Sequence, residues 1–186
     1  MSVLRGSSVI WRGQFTVVKS DAGLIAPTPV ARGLVGTVYR IARNTQRLPN
    51  FVRMKPIATI ALPNLSVAPR RWTSGFPGVT DDGKPIQEWF AIRFVSKLVV
   101  PKDAKVQFKL ISDDGATLHI NGGTIVNNDG IHKPRAKTGT VRLKKGVHNL
   151  VVGYFQGPKW EIALQLYWRF SDNEEWKLVP TESLLR

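Results

Sequence analysis

Asp113-Asp114-Gly115 sets two adjacent carboxylates and a glycine between strand-like runs, Lys109-Leu110-Ile111-Ser112 before and Ala116-Thr117-Leu118-His119-Ile120 after. Neighbouring acids in a tight connection repel each other, so something must compensate them. A hard cation such as Ca²⁺ is one candidate, because it takes carboxylate and carbonyl oxygens in flexible geometry. Held at a loop tip, such an ion keeps positions open for the hydroxyls of a ligand. The alternative is a plain β-turn, in which Asp side chains bond local amides and Gly takes positive φ. Both readings stand on the local sequence.

Asn127-Asn128-Asp129-Gly130-Ile131-His132 is a second polar cluster. In a binding role Asn128 and Asp129 would line a ligand loop and His132 would contact a hydroxyl or carboxylate. The residues favour a structured turn, with Asn and Asp bonded to their own backbone. Asp81-Asp82-Gly83 has the same turn chemistry without the strand context and reads as an exposed hairpin or loop. The three histidines, His119, His132 and His148, lack the helical two-histidine spacing of a zinc enzyme and read as structural or surface residues. There is no Gly-x-Ser-x-Gly elbow and no phosphate-cradling Gly-Lys loop. Side chains as close in sequence as Asp113 and Asp114 do not flank a scissile glycosidic bond from opposite sides at roughly 5 Å or more. The chain is not expected to be an enzyme.

These residues need strands to position them, and the sequence supplies strands. Lys105-Val106-Gln107-Phe108-Lys109-Leu110 alternates apolar and polar, Thr138 to Leu143 repeats the pattern, and Val147–Tyr154 and Ile162–Trp168 read as further strands. Pro101-Lys102-Asp103, Asn121-Gly122-Gly123, Asn128-Asp129-Gly130 and Lys144-Lys145-Gly146 punctuate them. No window carries a sustained helical stripe. The pattern predicts an all-β fold, an antiparallel sandwich or barrel.

Residues 1–32 read differently. One strand pattern, Val9-Ile10-Trp11 through Phe15-Thr16-Val17-Val18, gives way to Ala26-Pro27-Thr28-Pro29, where proline disfavours regular pairing. We read an N-terminal arm and linker (1–32) ahead of a domain at 33–186. An arm too short for its own core must pack on this domain or on a neighbouring molecule, with Trp11 as the anchor. The arm thus offers a route to homo-oligomers or to an assembly partner.

The 186 residues include 27 Lys and Arg against 13 Asp and Glu, a net charge of +14, and no cysteine. Disulfides, thiol nucleophiles and thiolate zinc sites are thereby excluded. Such a basic balance favours an acidic partner. The bases are scattered and no nucleic-acid motif is present, so nucleic acid is not the expected one. No segment is long enough to span a bilayer, and Arg12 interrupts the only stretch resembling a signal peptide.

From Gly33 the order of segments resembles the protective-antigen-type β-sandwich domain family, which also occurs in yeast flocculins, bacterial adhesins and glycosidases. The segments are Gly33–Arg40, Leu48–Phe51, Gly75–Val79, Glu88–Ile92, Ser112–Gly122, Asn127–Arg135 and Val151–Gly157. The resemblance implies a two-sheet antiparallel sandwich that is rarely catalytic by itself. It implies Ca²⁺ on Asp113 and Asp114, joined by a cis peptide, with a sugar's vicinal hydroxyls completing the coordination. It further implies oxygens from Gln156 and from backbone at 157–159, and a sugar face stacked on Trp160. Lys159 enters the same loop, and its charge opposes a cation unless it points away. The function implied is carbohydrate binding or adhesion at an extracellular or particle surface, with acidic glycans favoured by the charge. The alternative is a structural or decoration subunit of a particle, filament or phage-like assembly, laced together by its arm.

Overall fold

The computed structural model describes residues 31–186, together with the backbone of residues 19–20 and 23–24. The chain divides into residues 1–31 and 32–186. In the first unit β1 (Lys19–Ser20) pairs antiparallel with β2 (Gly23–Leu24). The arm's expected strand pattern, its prolines and Trp11 lie outside the described residues.

The second unit contains β3 (Leu34–Arg40), β4 (Ala58–Leu62), β5 (Ser66–Arg71), β6 (Thr80–Asp81), β7 (Lys84–Pro85) and β8 (Phe90–Val100). It continues with β9 (Ala104–Asp113), β10 (Ala116–Ile120), β11 (Gly123–Asn128) and β12 (Arg135–Leu143). It closes with β13 (Gly146–Gln156), β14 (Glu161–Arg169), β15 (Lys177–Leu178) and β16 (Leu184–Leu185). One sheet has the order β11-β10-β13-β8-β3-β4, with β16 also on β8. The other has the order β12-β9-β14-β15, with β5 also on β14. Every strand pairing is antiparallel, as the alternating sequence predicts. Arg32 bridges Leu185, so the sandwich begins one residue before Gly33.

Alternation explains the core. Ile92, Phe94 and Leu98 of β8 and Val106, Phe108 and Leu110 of β9 point inward and are fully buried. Leu118 of β10, Val152 of β13 and Ile162 and Leu164 of β14 join them. Phe76, Phe90, Phe94 and Tyr154 pack with ring centroids 5.2–6.3 Å apart. Two tight turns match their residues: Asn121-Gly122 joins β10 to β11 and Asp82-Gly83 joins β6 to β7, all four at positive φ. The second is the exposed hairpin expected at Asp81-Asp82-Gly83.

The Asp113-Asp114 connection differs from the expected turn. β9 belongs to the five-stranded sheet and β10 to the seven-stranded one, so the chain changes sheets there. Two more connections cross between sheets at the same end: β11 to β12 through residues 129–134, and β13 to β14 through residues 157–160. The register brings them together, because Ala116 pairs with both Asn128 and Tyr154, while Ser112 pairs with Arg135 and Asp113 with Ala163.

Candidate functional site

These three crossings build a polar site at one end of the sandwich. Asp113 ends β9, and the peptide joining it to Asp114 is cis. Both acids are almost completely buried, with 2% and 3% of their surface exposed. Gly115 is fixed by close approach: a Cβ there would lie 2.7 Å from Asp129 Oδ1 and 2.8 Å from the Gly130 amide, and would collide with the Phe155 ring.

The two carboxylates are treated differently. Asp114 accepts hydrogen bonds from the Gly157 amide (2.8 Å) and the His132 amide (3.1 Å), one from each flanking crossing. Burial still raises its pKa, against the pull of those two amides. Among the described residues the Asp113 carboxylate receives no such bond. Burial, with the charges of Asp114 and Glu161 adding, pushes its carboxyl up to about 7. Among the described residues neither acid forms an ion pair. Both line a cleft of about 290 Å³ with Ile131, His132, Lys133, Pro158 and Trp160.

Behind the acids lies a buried brace. The Tyr154 hydroxyl sits between the Asp113 carbonyl (2.7 Å) and Gln156 Oε1 (2.6 Å). Gln156 Nε2 donates to the carbonyls of Glu161 (3.0 Å) and Pro158 (3.3 Å), pinning both ends of the third crossing.

The PA14 domain family matches residues 77–181, more than half of the chain. The chain belongs to the PA14 domain family. The match begins inside the range of segments on which the resemblance was drawn, leaving β3 and the Leu48–Phe51 stretch outside it. A comparison with curated proteins gives no match. Among solved structures, the PA14 domain of the antifreeze protein MpAFP aligns with a TM-score of 0.68 at 17% identity, over 87% of this chain and 94% of that one. A PA14 sugar-binding domain from an RTX adhesin aligns at 0.67 and 18%, over 83% and 98%. An anti-sigma factor domain-containing protein from Clostridium clariflavum aligns at 0.62 and 18%, over 83% of this chain but 47% of its own length. At these identities the likeness is one of fold.

Within this PA14 domain the predicted site residues separate. Asp113, Asp114, His132 and Trp160 meet at the cleft, and Trp160 is 61% exposed. The Gln156 side chain is corrected from metal ligand to internal brace: it is fully buried, and its oxygen is held by Tyr154. The loop carbonyls expected to reach a cation are also engaged. Gly157 O accepts from the Trp89 amide and Pro158 O from Gln156 Nε2. Lys159 places its Nζ 5.0 Å from the centre of the Trp72 ring and does not line the cleft.

Asn128 is likewise a scaffold residue. It is fully buried, donates to Ser112 Oγ (2.8 Å) and the Arg135 carbonyl (3.1 Å), and accepts from Arg135 Nε (2.8 Å). Asp129 Oδ1 accepts from the Leu48 and Gly130 amides, both at 2.8 Å, so it braces its loop rather than facing a ligand. The ring nitrogens of His132 face the carbonyls of Asn128 (2.8 Å) and Lys133 (2.9 Å). Its amide, not its ring, reaches the acid pair.

Tyr154 was missed as a site residue, although a phenol inside an apolar strand needs a partner for its hydroxyl, and that was the available signal. Arg135 and Lys133 were missed because nothing in their local sequence marks them.

The donor set can be tested against Ca²⁺. Among the described residues no three His, Asp or Glu side chains come together as a ligand group. Two adjacent carboxylates remain, one without a hydrogen-bond partner, beside a cleft wide enough for water and ligand oxygens. That set fits a hard cation held on one side only. With so few protein ligands, such a site would bind weakly, with Kd about 10⁻⁴–10⁻³ M.

Proposed function

We propose that this PA14 domain is a non-catalytic carbohydrate-binding module acting in adhesion, outside the cell or at a particle surface. Its cleft uses Ca²⁺ held by Asp113 and Asp114. The observation carrying this reading is the Asp113 carboxylate, buried beside a second acid and without a hydrogen-bond partner among the described residues, at the wall of an open cleft. The PA14 domain of the RTX adhesin described as sugar-binding supports it.

The ion, when bound, supplies an oxygen-seeking charge able to take a sugar's vicinal hydroxyls. The protein supplies the rest. The Gly157 and His132 amides fix Asp114, and the Tyr154 hydroxyl fixes the backbone of Asp113. Trp160 offers an apolar plane for the hydrophobic face of a pyranose. Lys133 lies on the cleft wall and favours sugars carrying a carboxylate or sulfate.

Glycan-array binding with Ca²⁺, repeated in EDTA and with Asp113→Asn/Asp114→Asn, tests the reading. Glycan signals present only with Ca²⁺ and only in the wild type are expected. An array without signal, or signals unchanged by EDTA, would overturn it.

A further inference from the structure

The outer face of the five-stranded sheet is a second, separate surface. Val106, Phe108 and Leu110 of β9 point into the core, so Lys105, Gln107 and Lys109 point outward. Residues paired across strands share a face. Lys105 pairs with Arg142, Gln107 with Thr140 and Arg169, and Lys109 with Thr138 and Tyr167. The register thus gathers four cations, Lys105, Lys109, Arg142 and Arg169, on neighbouring strands. Their spacing is roughly 7 Å along a strand and roughly 5 Å across it.

One acid, Asp172, lies among them, its carboxyl lowered by Gln107 and by the charges of Lys105 and Arg169. Among the described residues their one ion pair is between Arg169 and Asp172, at 3.5 Å. Gln107 Oε1 holds the Arg169 guanidinium at 3.0 and 2.8 Å, and the Asp172 carbonyl accepts from it at 3.1 Å. Aromatic rings add to this at Arg169 and flank Lys109. Lys109 Nζ lies 4.5 Å from the centre of the Tyr167 ring and 5.0 Å from that of Trp176, and the Arg169 guanidinium lies 4.5 Å from the Trp176 centre. Fixing like charges side by side, at a cost in mutual repulsion, preorganises a surface for an anion.

We propose that this sheet face binds an acidic polysaccharide chain, sulfated or carboxylated, independently of the cleft and of Ca²⁺. Charge complementarity points to a polyanion, and two details point to a glycan. The faces of Tyr167 and Trp176 are occupied by Lys109 and Arg169, so they are not open platforms for the base stacking that single-stranded nucleic acid uses. Thr138 and Thr140, both exposed, interleave hydroxyls with the cations, which suits a polyhydroxylated chain, while Gln107 is engaged by Arg169 and Asp172.

The test is titration of fluorescently labelled heparin oligosaccharide with the full chain, in EDTA, at several NaCl concentrations. Lys105→Ala/Arg142→Ala changes two exposed side chains without removing a core contact, and Lys109→Gln is a second variant on the same face. Arg43→Ala/Arg47→Ala, in an exposed loop, removes the same charge elsewhere. Thermal melts confirm that each variant folds. The sheet-face pair is expected to weaken heparin about tenfold and to flatten the salt dependence, with the loop pair changing it less than about twofold. Equal losses in the two pairs, or no heparin binding by the wild type at physiological salt, would overturn the proposal. So would single-stranded DNA of matched charge binding as tightly as heparin and lost in the same variants.

Discussion

The two ends of the sandwich both carry aspartates where the chain changes sheets, and they handle them in opposite ways. At one end Asp103 is exposed, paired with Lys144 Nζ at 2.8 Å and bonded by the Lys145 amide at 2.7 Å. Those bonds hold its carboxyl below the usual range. At the other end Asp113 and Asp114 are buried together, no cation pairs with them among the described residues, and both carboxyls are raised. The same side chain thus completes a structural link at one end and leaves a charge deficit at the other. An internally satisfied acid offers nothing to a ligand. A buried acid without a partner makes folding and binding compete for the same charge.

The sharpest way to break this contrast is to neutralise each end in turn. Asp113→Asn/Asp114→Asn should abolish Ca²⁺ binding in calorimetry, while Asp113→Asn alone should raise the melting temperature of the metal-free protein by relieving buried like charges, Asp114 keeping both its amide bonds. Asp103→Asn should leave Ca²⁺ binding intact. A melting temperature that falls in Asp113→Asn would mean that this acid is already satisfied.

Tyr154→Phe comes next in size. It strips the Asp113 carbonyl and Gln156 of the phenol between them, at a cost of about 1–3 kcal/mol in denaturant titration. It should also weaken Ca²⁺, because the brace sets the backbone that carries the acid. Gly115→Ala should cost a similar amount, about 1–3 kcal/mol, by forcing the first crossing away from Phe155 and Asp129.

The pH response should separate the ends with a smaller signal. Asp113 titrates near 7 in the folded state and near 4 when unfolded, so its folded form binds the proton more tightly. Its contribution to stability is therefore complete below about pH 4 and lost as pH rises through about 7. The metal-free protein should melt about 5 °C higher at pH 5 than at pH 8, and saturating Ca²⁺ should remove most of that difference. Asp103 runs the other way: its lowered carboxyl stabilises above the unfolded value, and that contribution disappears only as pH falls below about 4. The smallest effect is that of Trp160→Ala, which should weaken sugar binding while leaving Ca²⁺ and stability unchanged, since the ring is mostly exposed.

Strand alternation made the sandwich legible, because β9, β12, β13 and β14 each follow a two-residue period with apolar residues on one face. The acid pair was legible too, since adjacent carboxylates beside a glycine are chemically conspicuous. Its setting was not. Period-two patterning cannot tell a hairpin from a crossing between sheets, so Asp113-Asp114 read as a tight turn. The direction of a side chain in a loop is equally hidden. Gln156 and Lys159 read as cleft residues, but a buried phenol captured the first and an indole ring the second. Asp129 followed the turn-like reading in part, accepting from the Gly130 amide as well as from Leu48, but Asn128 did not: its side chain bonds Ser112 and Arg135, distant in sequence.

The most direct test of the contrast is calorimetric titration of Ca²⁺ into the EDTA-stripped full chain at pH 7.5, beside Asp113→Asn/Asp114→Asn and Asp103→Asn. The account predicts one saturable site in the wild type and in Asp103→Asn, with Kd about 10⁻⁴–10⁻³ M, and no binding heat in the double variant. Absence of binding in the wild type, or the same isotherm in all three proteins, would contradict it.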